Sequence, residues 1–181
     1  MAYVILAIVV LIVIFIIAQY NSLIKLRNSV NEGFSTMDVY LKKRWDLIPN
    51  LVETVKGYAK HESEVLENVT KLRENSYENM SSSDKIEKNQ QLSKGILNLM
   101  AVAEQYPELK ANQNFINLNQ ELSRIEEDIA NSRKYYNAVV RNLNNKIEMF
   151  PSNIISNIFG FKKEKMFETS TEEKNNVKVE F

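Results

Sequence analysis

Ala2 to Ala18 is a run of seventeen apolar or weakly polar residues, and no charged side chain appears until Lys25. A stretch of about 17–25 such residues can cross the ~30 Å hydrocarbon core of a bilayer as a helix. Tyr3 and Tyr20 stand at its two ends, where amphipathic rings favour the water interface. A cleavable signal peptide would want a basic n-region and a small-residue cleavage site. The run begins directly after Met1, with no basic residue before it, and the flank Gln19-Tyr20-Asn21 offers no A-x-A site. A buried core helix rarely goes so long without charge. Residues 1–21 are therefore expected to be a transmembrane anchor. Lys25 and Arg27 follow the run closely. The positive-inside rule then puts the N-terminus outside and the body of the chain in the cytoplasm.

A chain of 181 residues leaves room for one domain beyond the anchor. Lys+Arg and Asp+Glu both number 23, so the formal net charge is zero. Such a balance provides no field to hold nucleic acid, and no nucleic-acid partner is expected. With no cysteine, disulfides, thiolate zinc sites and a cysteine nucleophile are excluded. Only four glycines and three prolines interrupt a chain rich in helix formers, which predicts long helices and an all-α fold.

The periodicity supports this. Leu26, Val30, Phe34, Met37, Leu41 and Trp45 fall at intervals of three and four, one buried stripe of an amphipathic helix. Lys42, Lys43 and Arg44 would suit a helix C-terminus. Asp46 would then cap the next helix, with Pro49 in its first turn. Yet the stripe continues through Ile48, Val52, Val55, Ala59, Leu66, Val69 and Leu72. Both a kink at Pro49 and a reversal before it fit this pattern. Ser81-Ser82-Ser83 marks a loop, and Asp84 with Glu87 has the spacing of an acidic capping box. The helix that follows carries Leu92, Ile96, Leu99, Ala103 and Tyr106 and stops before Pro107. Asn112 and Asn114 are candidate caps for the last long helix. Its stripe (Phe115, Leu118, Leu122, Ile125, Ile129, Tyr136, Val140, Leu143, Ile147) is broken only at Ser132, as in coiled-coil-like packing.

After Phe150-Pro151 the character changes. Residues 151–167 form a short segment with Ile154, Ile155, Ile158, Phe159 and Phe161, followed by a basic end. Such a segment can lie on a membrane or dock on the open end of a bundle. Residues 168–181 are a tail, polar and disordered through Asn176. It closes on Val177-Lys178-Val179-Glu180-Phe181, which alternates like a strand with no partner strand in the chain. Ile154, Ile155, Ile158, Phe159, Phe161, Val177, Val179 and Phe181 make up the candidate interaction surface.

Several stretches resemble one family. Met37 to Tyr58 (MDVYLKKRWDLIPNLVETVKGY), followed by His61-Glu62, is similar to the signature of the LemA family. So are Tyr20-Asn21, Leu99 to Ala111 (LMAVAEQYPELKA), Tyr136-Asn137 and Phe150-Pro151-Ser152, in the same order along nearly the whole chain. The resemblance implies a bacterial protein of the inner membrane whose cytoplasmic part, residues 22–150, is an antiparallel, up-and-down four-helix bundle. It favours a reversal at Pro49 and helices near 22–45, 47–77, 85–106 and 114–148. It brings no enzymatic activity.

The residues supply no chemistry either. His61 is the sole histidine, and His61-Glu62 lacks the second histidine of a zinc helix, with Val65 in its place. A di-iron bundle needs a Glu-x-x-His pair from each of two helices. No phosphate loop or dinucleotide fingerprint occurs, because the glycines are scattered at 33, 57, 95 and 160. No catalytic residue, metal or cofactor is expected. Arg44, Asp46, Lys56, Glu104, Glu126 and Arg133 are candidates for polar pairs between helices. Glu121, Arg124, Glu127 and Asp128 suit a solvated face. The expected function is that of a non-enzymatic, membrane-anchored scaffold, self-associating as a homo-oligomer and binding membrane or cytoplasmic proteins as well as lipid. The alternative is a membrane-remodelling or lipid-organising protein attached through the anchor and residues 151–167.

Overall fold

The computed structural model describes residues 1–73 and 76–167. These residues form helices and no strand: α1 (Ala2–Lys56), α2 (Ser63–Lys71), a 3-10 turn (Tyr77–Asn79), α3 (Ser82–Glu104), α4 (Pro107–Lys110), α5 (Gln113–Glu148) and α6 (Ser152–Ile158). The tail, with Val177, Val179 and Phe181 of the candidate surface, lies outside the described residues. The fold is all-α as expected. The chain divides into two compact units, and both α1 and α5 contribute to each.

The first unit comprises Met1–Thr36 and Ser132–Met166. Within α1 an 18-residue window has a mean hydropathy of 3.0, and none of it is buried against the rest of the protein. From Leu23 onward α1 becomes amphipathic, and Leu23 and Val30 are buried. There it packs on α5. A Cβ at Gly33 would come within 3.3 Å of both Tyr135 and Val139, so the missing side chain lets the two helices approach closely. Phe34 meets Tyr136 edge-on at 5.9 Å. Going from Phe34 back to Tyr20 covers about 21 Å of helix. The segment that follows α5 meets α1 there, at Tyr20, so the two helices run antiparallel.

The second unit contains Met37–Asn131. In it α1 continues through Pro49 to Lys56, and Asp46 is a mid-helix residue paired with Lys42 at 2.7 Å. The expected cap at Asp46 and reversal at Pro49 are therefore wrong. A proline inside a helix costs about 3 kcal/mol. Leu47, Ile48, Leu51, Val52 and Val55 are all buried around it, at about 1.5–3 kcal/mol each, so burial outweighs the lost hydrogen bond. The reversal comes later, across residues 57–62, where Gly57, Tyr58, Lys60 and His61 are exposed and Ala59 is buried. His61 lies in this turn, exposed. The second helix is consequently the short α2 rather than 47–77.

The caps are equally local. Ser81, rather than Asp84, is the N-cap of α3: its hydroxyl accepts from the Asp84 amide, and Asp84 reaches back to the Ser81 amide. Asp84 thus occupies the third position of the capping box. Pro107 opens α4. Asn112 Oδ1 accepts from the amides of Asn114 and Phe115, capping α5 as expected. Arg44 of α1 contacts Asn89 and Ser93 of α3 and Glu126 of α5. Tyr58, just past α1, is bonded by Asn112, just before α5. These contacts make α3 parallel and α5 antiparallel to α1, the up-and-down order. Val69 and Leu72 lie close over Gly95 and bring α2 onto α3.

Candidate functional site

In the first unit the chain leaves α5, passes a cis Phe150–Pro151 bond and enters α6. The last carbonyls of a helix have no partner within it. Here serines supply one. Ser152 Oγ donates toward Lys146 O at 2.6 Å and Met149 O at 2.9 Å, and Ser156 Oγ toward Ile147 O at 3.0 Å. Ser152, Ile155 and Ser156 are buried, while Ile154 and Ile158 are exposed. Ile155, expected on the interaction surface, is thus a core residue. The helix spacing of three and four puts Ser152, Ile155 and Ser156 on the inner face and Ile154 and Ile158 on the outer.

α6 ends in a Schellman motif. Gly160 has φ +69°, its amide donates to Asn157 O at 3.3 Å, and the Phe161 amide donates to Ser156 O at 2.9 Å. The chain then turns back along the unit. Tyr20 packs at a tilt against Phe159, ring centroids 4.8 Å apart, and edge-on against Phe161 at 5.9 Å, and the Arg27 guanidinium lies 5.5 Å over Phe161. Lys163 pairs with Glu148. Asn144 brackets Glu164 with two backbone hydrogen bonds, and Tyr136 donates to Lys165 O at 3.0 Å. Burial, then the nearby Glu164, pushes the Tyr136 phenol up to about 12. Phe161 is half-buried. Met149 and Phe150 join Ile154, Ile158 and Phe159 as exposed large apolar side chains.

The second unit encloses the polar side chains of Arg44 and Asn89 in an apolar interior. Arg44, only 1% exposed, donates to Asn89 O and Oδ1, Ser93 Oγ and Glu126. Its partner Glu126 is 40% exposed on its side chain, so water tempers the pair. Of the candidate interhelical charges this pair forms, whereas Asp46 and Lys56 pair within α1, with Lys42 and Glu53. Next to it lies a cluster not anticipated from sequence. Asp38 accepts from Tyr77 Oη at 2.6 Å and from Lys85 Nζ at 2.7 Å. Lys85 stands 4.6 Å over the Tyr77 ring, Trp45 packs on Tyr77 at 5.3 Å, and Arg73 lies 5.3 Å over Trp45. Burial, then the hydrogen bond to Asp38, pushes the Tyr77 phenol well above its ordinary value. Burial lowers the Arg73 guanidinium, against the opposing charge of Asp46. Asp38 lies among the quoted signature residues, but nothing in its spacing points to Tyr77, 39 positions away. The arrangement fastens the 3-10 turn to α1 and α3. Among the described residues, no group of three or more His, Asp or Glu side chains is placed to hold a metal.

Protein LemA of Metamycoplasma hominis is 26% identical over 143 residues, covering 77% of this chain and 64% of that protein. Two proteins of Paramagnetospirillum magneticum, magnetosome proteins MamQ 1 and MamQ 2, are each 36% identical over 70 residues, 39% of this chain and 26% of theirs. The chain spans less than two thirds of the length of each of these relatives. The model of the LemA family matches residues 33–181, which include both Asp38 and Arg44 and the whole of α5 and α6. The chain belongs to the LemA family.

Proposed function

We propose that this chain is a non-enzymatic, single-span scaffold of the bacterial inner membrane, with its N-terminus outside and its helical bundle presented to protein partners in the cytoplasm. The observation that carries this reading is the continuity of α1. Its first turns are apolar and bare of protein contacts, and the same helix goes on to supply buried residues from Leu23 to Val55. A helix fully exposed at a mean hydropathy of 3.0 needs an apolar solvent, and a bilayer provides one. Lys25 and Arg27 orient it. Tethering confines copies to two dimensions and raises their effective concentration, so the scaffold self-associates through contacts too weak to matter in free solution.

The chain has no cysteine, so Ser82→Cys, at an exposed position, is a single reporter. An impermeant thiol reagent should label it only after lysis, and the protein should stay with membranes through alkaline carbonate. Labelling of intact cells would reverse the topology, and release by carbonate would remove the anchor. Sizing in two mild detergents at several concentrations should show species above the monomer. A monodisperse monomer throughout would end the self-association part alone.

A further inference from the structure

We propose that the outer face of α6 and the turn before it form a second membrane contact, seated in the headgroup region beside α1. The inference rests on the anchor reading above. The first observation is the inverted polarity of α6. It turns its two serine hydroxyls inward beside Ile155, where they satisfy the terminal carbonyls of α5, and Ile154 and Ile158 outward. Ile154 is 49% exposed, Ile158 70% and Phe159 50%, and the preceding Met149 and Phe150 are 62% and 79% exposed. A short helix in water normally does the reverse, and a contiguous bare apolar face marks a contact surface.

The second observation says what covers it. Phe159 packs against Tyr20, two residues after the apolar run ends. Tyr20 belongs at the water–lipid boundary, so the ring against it stands at the same level. The α1–α5 pairing agrees. Fourteen residues back from Phe34 is Tyr20, and the same step onward from Tyr136 reaches Phe150. The exposed face of α6 therefore continues the bare apolar surface of the span. Exposed cations follow at that end: Lys25 and Arg27 within about two turns of Tyr20 on α1, Arg27 lying over Phe161, and Lys162 next to Phe161 on the returning segment. A short apolar face with cations at its end matches the boundary between acyl chains and anionic headgroups. A second copy of the chain would not require the face to lie beside Tyr20.

The test uses the full chain reconstituted in phosphatidylcholine–phosphatidylglycerol vesicles with an environment-sensitive fluorophore on single cysteines. Three positions suffice: Ile158→Cys on α6, Ile12→Cys in the span, and Ser35→Cys, about 22 Å along α1 from Tyr20. All three residues are exposed, so labelling leaves the packing intact. With nitroxide on a shallow acyl carbon, the Ile158 label should be quenched at least about threefold more than the Ser35 label. The Ile12 label should respond best to a deep nitroxide. If Ile12 is quenched and Ile158 matches Ser35, the second contact is wrong and the anchor stands. A blue-shifted but unquenched Ile158 label would also overturn the proposal, because protein would then cover the face. If Ile12 escapes deep quenching, the anchor reading and this inference fall together.

Discussion

Arg44 and Glu126 form an ion pair between helices of the second unit, and they are unequal partners. Arg44 is almost entirely enclosed, whereas Glu126 retains 40% of its side-chain exposure. Removing the arginine leaves Asn89 Oδ1 and Ser93 Oγ without their donor and opens a cavity where the guanidinium lay. Removing only the glutamate charge leaves the guanidinium bonded to Asn89 and Ser93, with water able to reach the vacated side. Arg44→Ala should therefore destabilise by about 3 kcal/mol and Glu126→Gln by only about 1 kcal/mol. Thermal unfolding followed by helical circular dichroism in mild detergent reads both. Equal losses would mean that the ion pair, rather than the buried hydrogen bonds, dominates.

Pro49 is the instructive case at the level of the element. The proline removes one intrahelical hydrogen bond, yet α1 passes through it because the residues on either side are buried on one face. The helix yields only at residues 57–62, where Gly57, Tyr58, Lys60 and His61 are exposed and Ala59 alone is buried. Pro49→Ala restores the amide without touching the stripe, so it should raise stability by about 1–3 kcal/mol. A lower melting temperature for that variant would show that the bundle depends on a bend there. α6 teaches the converse lesson. Its residues 152–158 read as an apolar segment, but two hydroxyls decide which face turns inward.

For the molecule as a whole, stability rests on a core shared among helices distant in sequence. Ile129 is 1% exposed on α5, in the second unit with Leu51 and Leu99, both fully buried. An unpaired carboxylate there costs several kcal/mol, of the order of a domain's entire stability. Ile129→Asp should abolish the cooperative thermal transition of that unit. A wild-type melting temperature would show that α5 is not central to it. The neutral net charge and the missing cysteines bear on partners and redox chemistry rather than on this core.

The stripes of α1, α3 and α5, the Asn112 cap, the stop before Pro107 and the exposed apolar run were all legible because each depends on neighbours within four positions. Helical periodicity, capping and hydropathy are local properties of a chain. The tertiary structure decided what local rules leave degenerate. It carried α1 through Pro49 and placed Asn89 and Glu126 around Arg44, 45 and 82 positions away. It also separated Ile155 from Ile154 and Ile158, burying one and baring the others. Those outcomes turn on which surfaces meet across the fold, where burying an apolar side chain gains, and leaving a carbonyl unpaired costs, more than most local propensities.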